Sequence, residues 1–557
     1  MAFPTLRDFL DHLEKHNELA RVKVPADPVL EITEIADRVM KSPAPHGPSE
    51  RDKHAAAKLG GKALLFERPV GSDIPIAINT FGSYWRVCQA LGCNSLDDLA
   101  DRVQQLIKPE MPTSLIEKMK KGMDLIKLAS FPPKSVRSGI CQQIVLEGEK
   151  ADPTKLPVLQ CWPLDGDLRS DQVFDRKASL EAADRQTGTG RYFTLGGIYT
   201  RHPETGARNV GMYRVQIHGP RTCAMHWHMH HDGARHFRAY KARNERMPLA
   251  IVLGGESVLP YSATAPLPPG VEELLFAGFL NNRGIELVPC KTIDLEVPAN
   301  AEIVIEGFVS NEAGSIGFDP RVEAARLGGP LSAEALQRLL GPGAVFEGPF
   351  GDHTGFYSMP DRYPIFEVTA ITHRRRPIYP TTIVGLPPQE DYYLGKATER
   401  LFLPLLRTIV PDILDYDLPM FVVFHSCAFV RIRKEYPLHA RRVMHAIWGA
   451  GQMAWTKAIV VVDEDVDVHD QDAVLFHLAA NVDPGRDIEI VNGPLDILDH
   501  AAPRLGAGHK IGFDATRKIP GEEVGGHAVR PWPPLISMSE GVKTRVSKRW
   551  GEFGLGR

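Results

Sequence analysis

Between residues 131 and 370 the sequence gives up helical periodicity for short apolar segments: QQIVLEG, YFTLGGIYT, NVGMYRVQIHG, LAIVLGG, ELVPCKTIDLEVP, AEIVIEGFV and FEVTAITH. Turn residues separate them, and runs this short that alternate in polarity are strands of an antiparallel barrel or sandwich. Two polar stretches, near 165–190 and 311–343, interrupt the pattern and read as insertions, the second with a short helix of its own.

On both sides of this block, helix and strand alternate. At the N-terminus Thr5 precedes Asp8 by three residues, and Leu6, Phe9, Leu10 and Leu13 follow at helical spacing, so a capped amphipathic helix should dock on a sheet. DPVLEITEIADRVMK is a second helix, with KALLFE and IPIAINTF as strands. After residue 370 come helices EDYYLGKATERLFLPLLRTI and PLHARRVMHAIWGAG and the strand AIVVVD, whose unbroken apolar run suits burial on both faces of a partly parallel sheet. The expected class is α/β and α+β multidomain: an N-terminal α/β domain over 1–130, a central β domain over 131–370, and a C-terminal α/β domain over 371–557. That last domain ends in PPLISMSEGVKTRVSKRWGEFG, a helix placed to reach a neighbouring subunit.

The chain has 557 residues, more than one hydrophobic core supports, which agrees with several domains. A net charge of −4 offers no general attraction to nucleic acid or an anionic membrane, so small molecules and further copies of the chain are the expected partners. The start carries acids every few residues and is no signal peptide. No apolar run is long enough to span a bilayer, and seven scattered cysteines without a C-x-x-C pair suit a reducing compartment. A cytoplasmic location is expected. H-E-x-x-H, Walker A and G-x-S-x-G patterns are absent.

Three constellations carry chemistry. CAMHWHMHHDGARHF, residues 223–237, holds five histidines. As a strand it would project His226, His228 and His230 from one face and Trp227, Met229 and His231 from the other. Such histidines serve as hydrogen-bonded surface residues more often than as a zinc site. In VFEGPFGDHTGFY the G-P-F-G turn lets Glu347 and Asp352 face one cavity, although solvated turn acids would look the same. In RNVGMYRVQ, Arg214 interrupts an apolar strand and needs a carboxylate, a phosphate or an ion pair to satisfy it.

NVGMYR, MHWHMHHDGA, TAPLPPGVEELLFAGFL, CKTIDLEVPANAEIVIEGF and EGPFGDHTGFY resemble, in this order, signature blocks of the UbiD family of decarboxylases, which use prenylated FMN. The resemblance implies a split β-barrel for the central domain. It implies that Asn209, His230 and Glu273 bind a divalent ion, usually Mn2+, on three strands, with K+ nearby. This donor set of hard oxygens and one imidazole suits manganese better than structural zinc. It also implies that Arg214, Glu347 and Asp352 are catalytic, and that Met212, Tyr213 and Arg214 with His226, Trp227 and His228 are flavin contacts. His231 and Asp232 join those contacts. His226, His231 and Asp232 stand where better-known relatives carry arginine, arginine and glycine. His236 is read as structural.

By the same resemblance the chain is a reversible non-oxidative carboxy-lyase. Asp352 would protonate carbon after CO₂ leaves, helped by a pKa raised through burial among Phe350, Phe356 and the flavin. The substrate would be a hydroxylated aromatic acid, of dihydroxynaphthoate or hydroxybenzoate type in quinone biosynthesis. A catabolic aromatic acid or acyl-thioester is the alternative. A flavin prenyltransferase would supply the cofactor, and a homodimer or homohexamer is implied. Two other classes stay open: a non-catalytic flavin- or metal-binding scaffold, and a zinc hydrolase built on MHWHMHH.

Overall fold

The computed structural model describes residues 2–47, 58–107, 130–167, 190–228, 231–267, 270–313, 342–358, 361–421, 426–523 and 525–555. His230 and most of both insertions, with the helix expected in the second, lie outside the described residues.

The first helix is Leu6–Lys15, and the Thr5 hydroxyl accepts the Asp8 N–H at 3.2 Å as its N-terminal cap. Leu6, Phe9, Leu10 and Leu13 are all buried, in one cluster with Leu19, Ala63, Leu65 and Ala77. Each such burial stabilises the fold by roughly 1.5–3 kcal/mol. The sheet beneath runs Leu19–Val22, Ala63–Phe66, Ile76–Ile78 and Tyr379–Pro380. Its last strand arrives from far along the chain, after the central sheet is complete, and lies parallel to Ile76–Ile78.

The central sheet has ten strands. Its path is Tyr192–Phe193, Val215–Ile217, Thr222–Met225, Asp361–His373, Ile303–Val309, Met247–Leu253, Gly197–Arg201 and Arg208–Met212, every neighbouring pair antiparallel. Asp361–His373, 13 residues long, is the spine, and both Ala344–Glu347 and Ile144–Glu147 also pair with it. Arg208–Met212 ends the path at one edge, whereas Val215–Ile217 lies next to the opposite edge. Only Tyr213 and Arg214 join them, and three Cα steps reach at most about 11 Å. The sheet therefore curls until its ends approach, which makes it a half-barrel.

The C-terminal sheet runs Ile413–Asp417, Cys427–Ile432, Ala458–Val462, Ala507–Asp514 and Ile488–Pro494. Ala458–Val462 is parallel to both its neighbours, with Ile459 to Val462 buried, as the apolar run AIVVVD predicts. Helices Glu390–Ile409 and His439–Trp448 occupy the expected stretches. Glu390 ties the first of them to the N-terminal domain by accepting the N–H of Asn79 at 3.1 Å and of Phe81 at 2.8 Å. The terminal helix Glu540–Lys548 has no buried residue. Among the described residues no helix is long and apolar enough to cross a membrane.

Candidate active site

Glu347 is the last residue of strand Ala344–Glu347, opposite Asp361 on the spine. The chain then folds back on itself, Asp352 N–H donating to Phe356 O at 3.1 Å and Ser358 N–H to Phe350 O at 2.8 Å. Asp165 pins this loop by accepting the N–H of Gly351 at 2.8 Å and of Trp162 at 2.8 Å. Only glycine fits at 351, where an added Cβ would stand 2.1 Å from Trp162 Cδ1. The Tyr192 hydroxyl holds the carbonyls of Gly348 and Pro349, each at 3.1 Å.

Arg214 faces this loop from the two-residue joint that closes the half-barrel. It is not inside a strand, as the pattern RNVGMYRVQ suggests, but between strands ending at Met212 and starting at Val215. Its guanidinium is buried and forks onto Glu347, Nε to Oε1 at 3.0 Å and Nη2 to Oε2 at 2.8 Å. Nη1 donates to Asp352 and Nη2 to Ser358 Oγ at 2.8 Å, while Phe350 stacks 4.7 Å beneath the cation. One arginine thus carries two buried carboxylates, the planar geometry that suits bidentate pairing.

The two acids differ in proton affinity, and in the reverse of the expected sense. Burial pushes Glu347 up, against Arg214, which pulls it down. Burial would also raise Asp352, but the His353 imidazole and Arg214 outweigh it and hold that carboxyl well below the usual range. His353 meets Asp352 Oδ1 twice, through Nδ1 at 3.0 Å and its backbone N–H at 2.8 Å. The aromatic shielding expected for Asp352 is incomplete: Phe350 is buried, but Phe356 is 56% exposed and packs on His500 at 4.1 Å.

The histidine run is not one strand. Its strand, Thr222–Met225, stops before His226, and a helix starts at Asp232. His226 Nδ1 lies 2.9 Å from Glu347 Oε2 and its Nε2 lies 2.8 Å from His228 Nε2. Burial keeps His226 neutral, so it donates from Nδ1 to Glu347 and accepts at Nε2 from His228. His231, expected on the opposite face, stacks on His228 at 4.7 Å because the chain has turned. Trp227 is fully buried against Phe237 and the helix's Gly233. Asp232 is exposed and paired with Arg235 at 3.1 Å. Tyr213 lies against His231 at 4.7 Å, and Met212 is half-buried against the core. His236 is buried and bonded to Thr200 Oγ1 at 2.9 Å, which is a structural role.

Asn209 is buried on strand Arg208–Met212. Glu273 is the first residue of helix Glu273–Asn281, not part of a strand, and accepts Val210 N–H at 2.9 Å. Burial pushes its carboxyl up to about 7, and the charges of Asp232 and Glu272 add to the effect. A cation at this point would relieve all three acids, so the donors present fit a divalent ion.

Ser358, His353 and Asp165 carry no motif of their own in the sequence. Asp165 belongs to a polar stretch read as an insertion, yet it is fully buried with its carboxyl raised to about 8 by burial. Adjacency to Asp352 was the only sign of His353. Glu399, Asp417 and His469 also bring ligand atoms within 4.8 Å of one another. Lys396 Nζ already occupies that centre, 2.8 Å from Glu399 and bonded to Asp417, while Arg400 pairs with Glu399 at 2.8 Å and Asp415 at 2.7 Å. This is a buried network in which Lys396, Arg400 and His469 offset Glu399, Asp415 and Asp417.

Three family models match the chain in succession. Residues 10–106 match the N-terminal domain of 3-octaprenyl-4-hydroxybenzoate carboxy-lyase, 134–387 its Rift-related domain, and 392–515 its C-terminal domain. The chain belongs to the UbiD family of carboxy-lyases. This UbiD chain is 44% identical to an uncharacterized protein of Aquifex aeolicus over 99% of its own length and 98% of the relative's. It is 40% identical to one of Archaeoglobus fulgidus over 99% of each. Among solved structures it is similar to the closed form of vanillic acid decarboxylase from Sedimentibacter hydroxybenzoicus, with TM-score 0.75 and 22% identity over 100% of both chains. An evolved dimeric UbiD-class enzyme from Pelotomaculum thermopropionicum, in complex with prFMN, gives TM-score 0.67 at 23% identity over 93% of this chain and 95% of that one. These likenesses place the UbiD half-barrel and its flanking α/β domains in one shared fold.

Proposed function

We propose that the chain removes CO₂, reversibly and without net oxidation, from a hydroxylated aromatic carboxylic acid, using prenylated FMN and a Mn2+-like ion with K+ beside it. The observation that carries this reading is the buried Arg214 that joins Glu347 and Asp352 on one turn. A scaffold has no need for two acids and an arginine kept from water, since even a paired buried set is often no more stable than apolar residues of similar volume. Asn209 and Glu273 would hold the divalent ion. The stretches Met212 to Arg214 and His226 to His228, with His231 and Asp232, border the flavin.

Bound prenylated FMN supplies the electron sink that loss of CO₂ from an sp² carbon requires. Arg214 orients the substrate carboxylate or keeps Glu347 in place, and Asp352 delivers the proton that replaces CO₂. His226, through Nδ1–H, fixes the second oxygen of Glu347. A zinc hydrolase on MHWHMHH is less favoured, because His226 is engaged by Glu347 through Nδ1 and by His228 through Nε2. The neighbour named for vanillic acid supports a hydroxylated ring. A dihydroxynaphthoate-type acid of quinone biosynthesis is the specific substrate proposed, with a flavin prenyltransferase as supplier and a homodimer or homohexamer as the working form.

The test is a panel of naphthoic, hydroxybenzoic and thioester-activated aromatic acids, given to chain co-produced with a flavin prenyltransferase, with CO₂ release measured. Turnover should require flavin and a divalent ion. Asp352→Asn should keep the flavin and lose about 10²–10⁴ in rate, together with solvent-deuterium exchange at the product carbon. Metal-free, flavin-free protein that still decarboxylates would refute the reading.

A further inference from the structure

Replacing a carboxylate by hydrogen consumes one proton for each CO₂ released. Asp352 is placed to deliver it, but in the resting site Asp352 is a carboxylate bound by Arg214 and His353. The proton must therefore be stored elsewhere and reach Asp352 during the reaction. His353 is the group in contact, with Nδ1 at 3.0 Å from Oδ1, on the oxygen that Arg214 does not take.

Three carboxylates act on the ring of His353: Asp352 beside it, Asp391 from the first turn of helix Glu390–Ile409, and Asp496 from the C-terminal domain. Arg214 binds the other oxygen of Asp352. His353 thus touches the acid at the reacting centre and feels the charge of two acids of the C-terminal part of the chain. Asp391 suits proton exchange with water near neutral pH, since burial raises its carboxyl to about 6.

We propose that His353 is the proton relay of this site, holding beside Asp352 the proton that the reaction consumes and taking its replacement from the side of Asp391 and Asp496. When the C–CO₂ bond breaks, its electron pair stays with the ring carbon. Asp352 gives that carbon its O–H proton, and the proton on Asp352 comes from His353 Nδ1. The imidazole, now neutral, is recharged from the Asp391 and Asp496 side, which draws on solvent. Nothing is oxidised or reduced, and one solvent proton enters for each CO₂ lost. His353 does not touch the reacting carbon, so it is a positioning and relay residue. The proposal rests on the decarboxylase reading for its reaction but not for its geometry.

Histidine 13Cε1 NMR on the full chain tests the coupling without any substrate. The signal lost in His353→Gln should titrate at about 9 in the wild type. In Asp352→Asn its proton affinity should fall by about ten-fold or more, one unit of pKa or above. An unshifted titration in either protein overturns the proposal. For the acid of the panel that the wild-type holoenzyme turns over, His353→Gln should lower kcat by roughly ten-fold or more with KM nearly unchanged. It should also flatten the alkaline limb of the kcat profile, and Asp391→Asn should slow kcat less. Wild-type kcat in His353→Gln overturns the relay. If the wild type turns over no acid, the functional reading fails, and the NMR titration still decides for or against the His353–Asp352 link.

Discussion

Replacing Arg214 with methionine retains most of the side-chain volume and removes the charge. Four hydrogen bonds go: two from Glu347, one from Asp352 and one from Ser358. Asp352 keeps its two bonds from His353. Glu347, 0% exposed, keeps only the N–H of a neutral His226, so it becomes the uncompensated buried charge. Breaking a buried pair in this way costs about 3–5 kcal/mol. The sign of the pH dependence follows from Glu347, whose folded-state pKa is already above its ordinary 4.5 through burial and rises further without Arg214. Between 4.5 and that folded value the native chain holds a proton the unfolded chain has lost, so stability falls as pH rises, by at most about 1.4 kcal/mol per pH unit. Urea unfolding followed by tryptophan fluorescence should find Arg214→Met near wild type at pH 5 and at its full deficit by pH 8. Adding Glu347→Gln should remove the pH dependence and recover at least about 2 kcal/mol. A deficit under about 1 kcal/mol, or one equal at both pH values, would refute the assignment of Glu347 as the charge that Arg214 neutralises.

Glu273→Gln should abolish stoichiometric Mn2+ binding, measured by elemental analysis, while the folded core persists. His236→Ala should retain the metal and lose about 1 kcal/mol with its bond to Thr200; metal loss in His236→Ala would mean that His236, and not His230, is the histidine ligand. His469, bonded to Asp415 at 3.2 Å and Asp417 at 3.1 Å, has its pKa raised to about 9 by these carboxylates against its burial. Its stabilisation should be complete below about pH 6.5, its unfolded value, and disappear as pH rises through 9. Calorimetry should show a midpoint that declines over that window in the wild type and not in His469→Gln.

The sequence by itself determined the alternation of helices and strands, the antiparallel centre and the residue types of the site, because periodicity and turn chemistry are local. The Thr5 cap and the buried run Ile459 to Val462 stand where the pattern puts them. The family blocks also pointed to Arg214, Glu347 and Asp352, which the structure brings together. Only the tertiary structure decided which acid binds its proton more tightly. That depends on His353 and Arg214 reaching Asp352, while Glu347 meets burial and a neutral His226. It also set Arg214 at a joint rather than in a strand, Glu273 on a helix, and Asp165 inside the core instead of an insertion. Long-range geometry of this kind arises when a ten-stranded sheet curls until its ends meet, and electrostatics within it follow distance through space rather than separation along the chain.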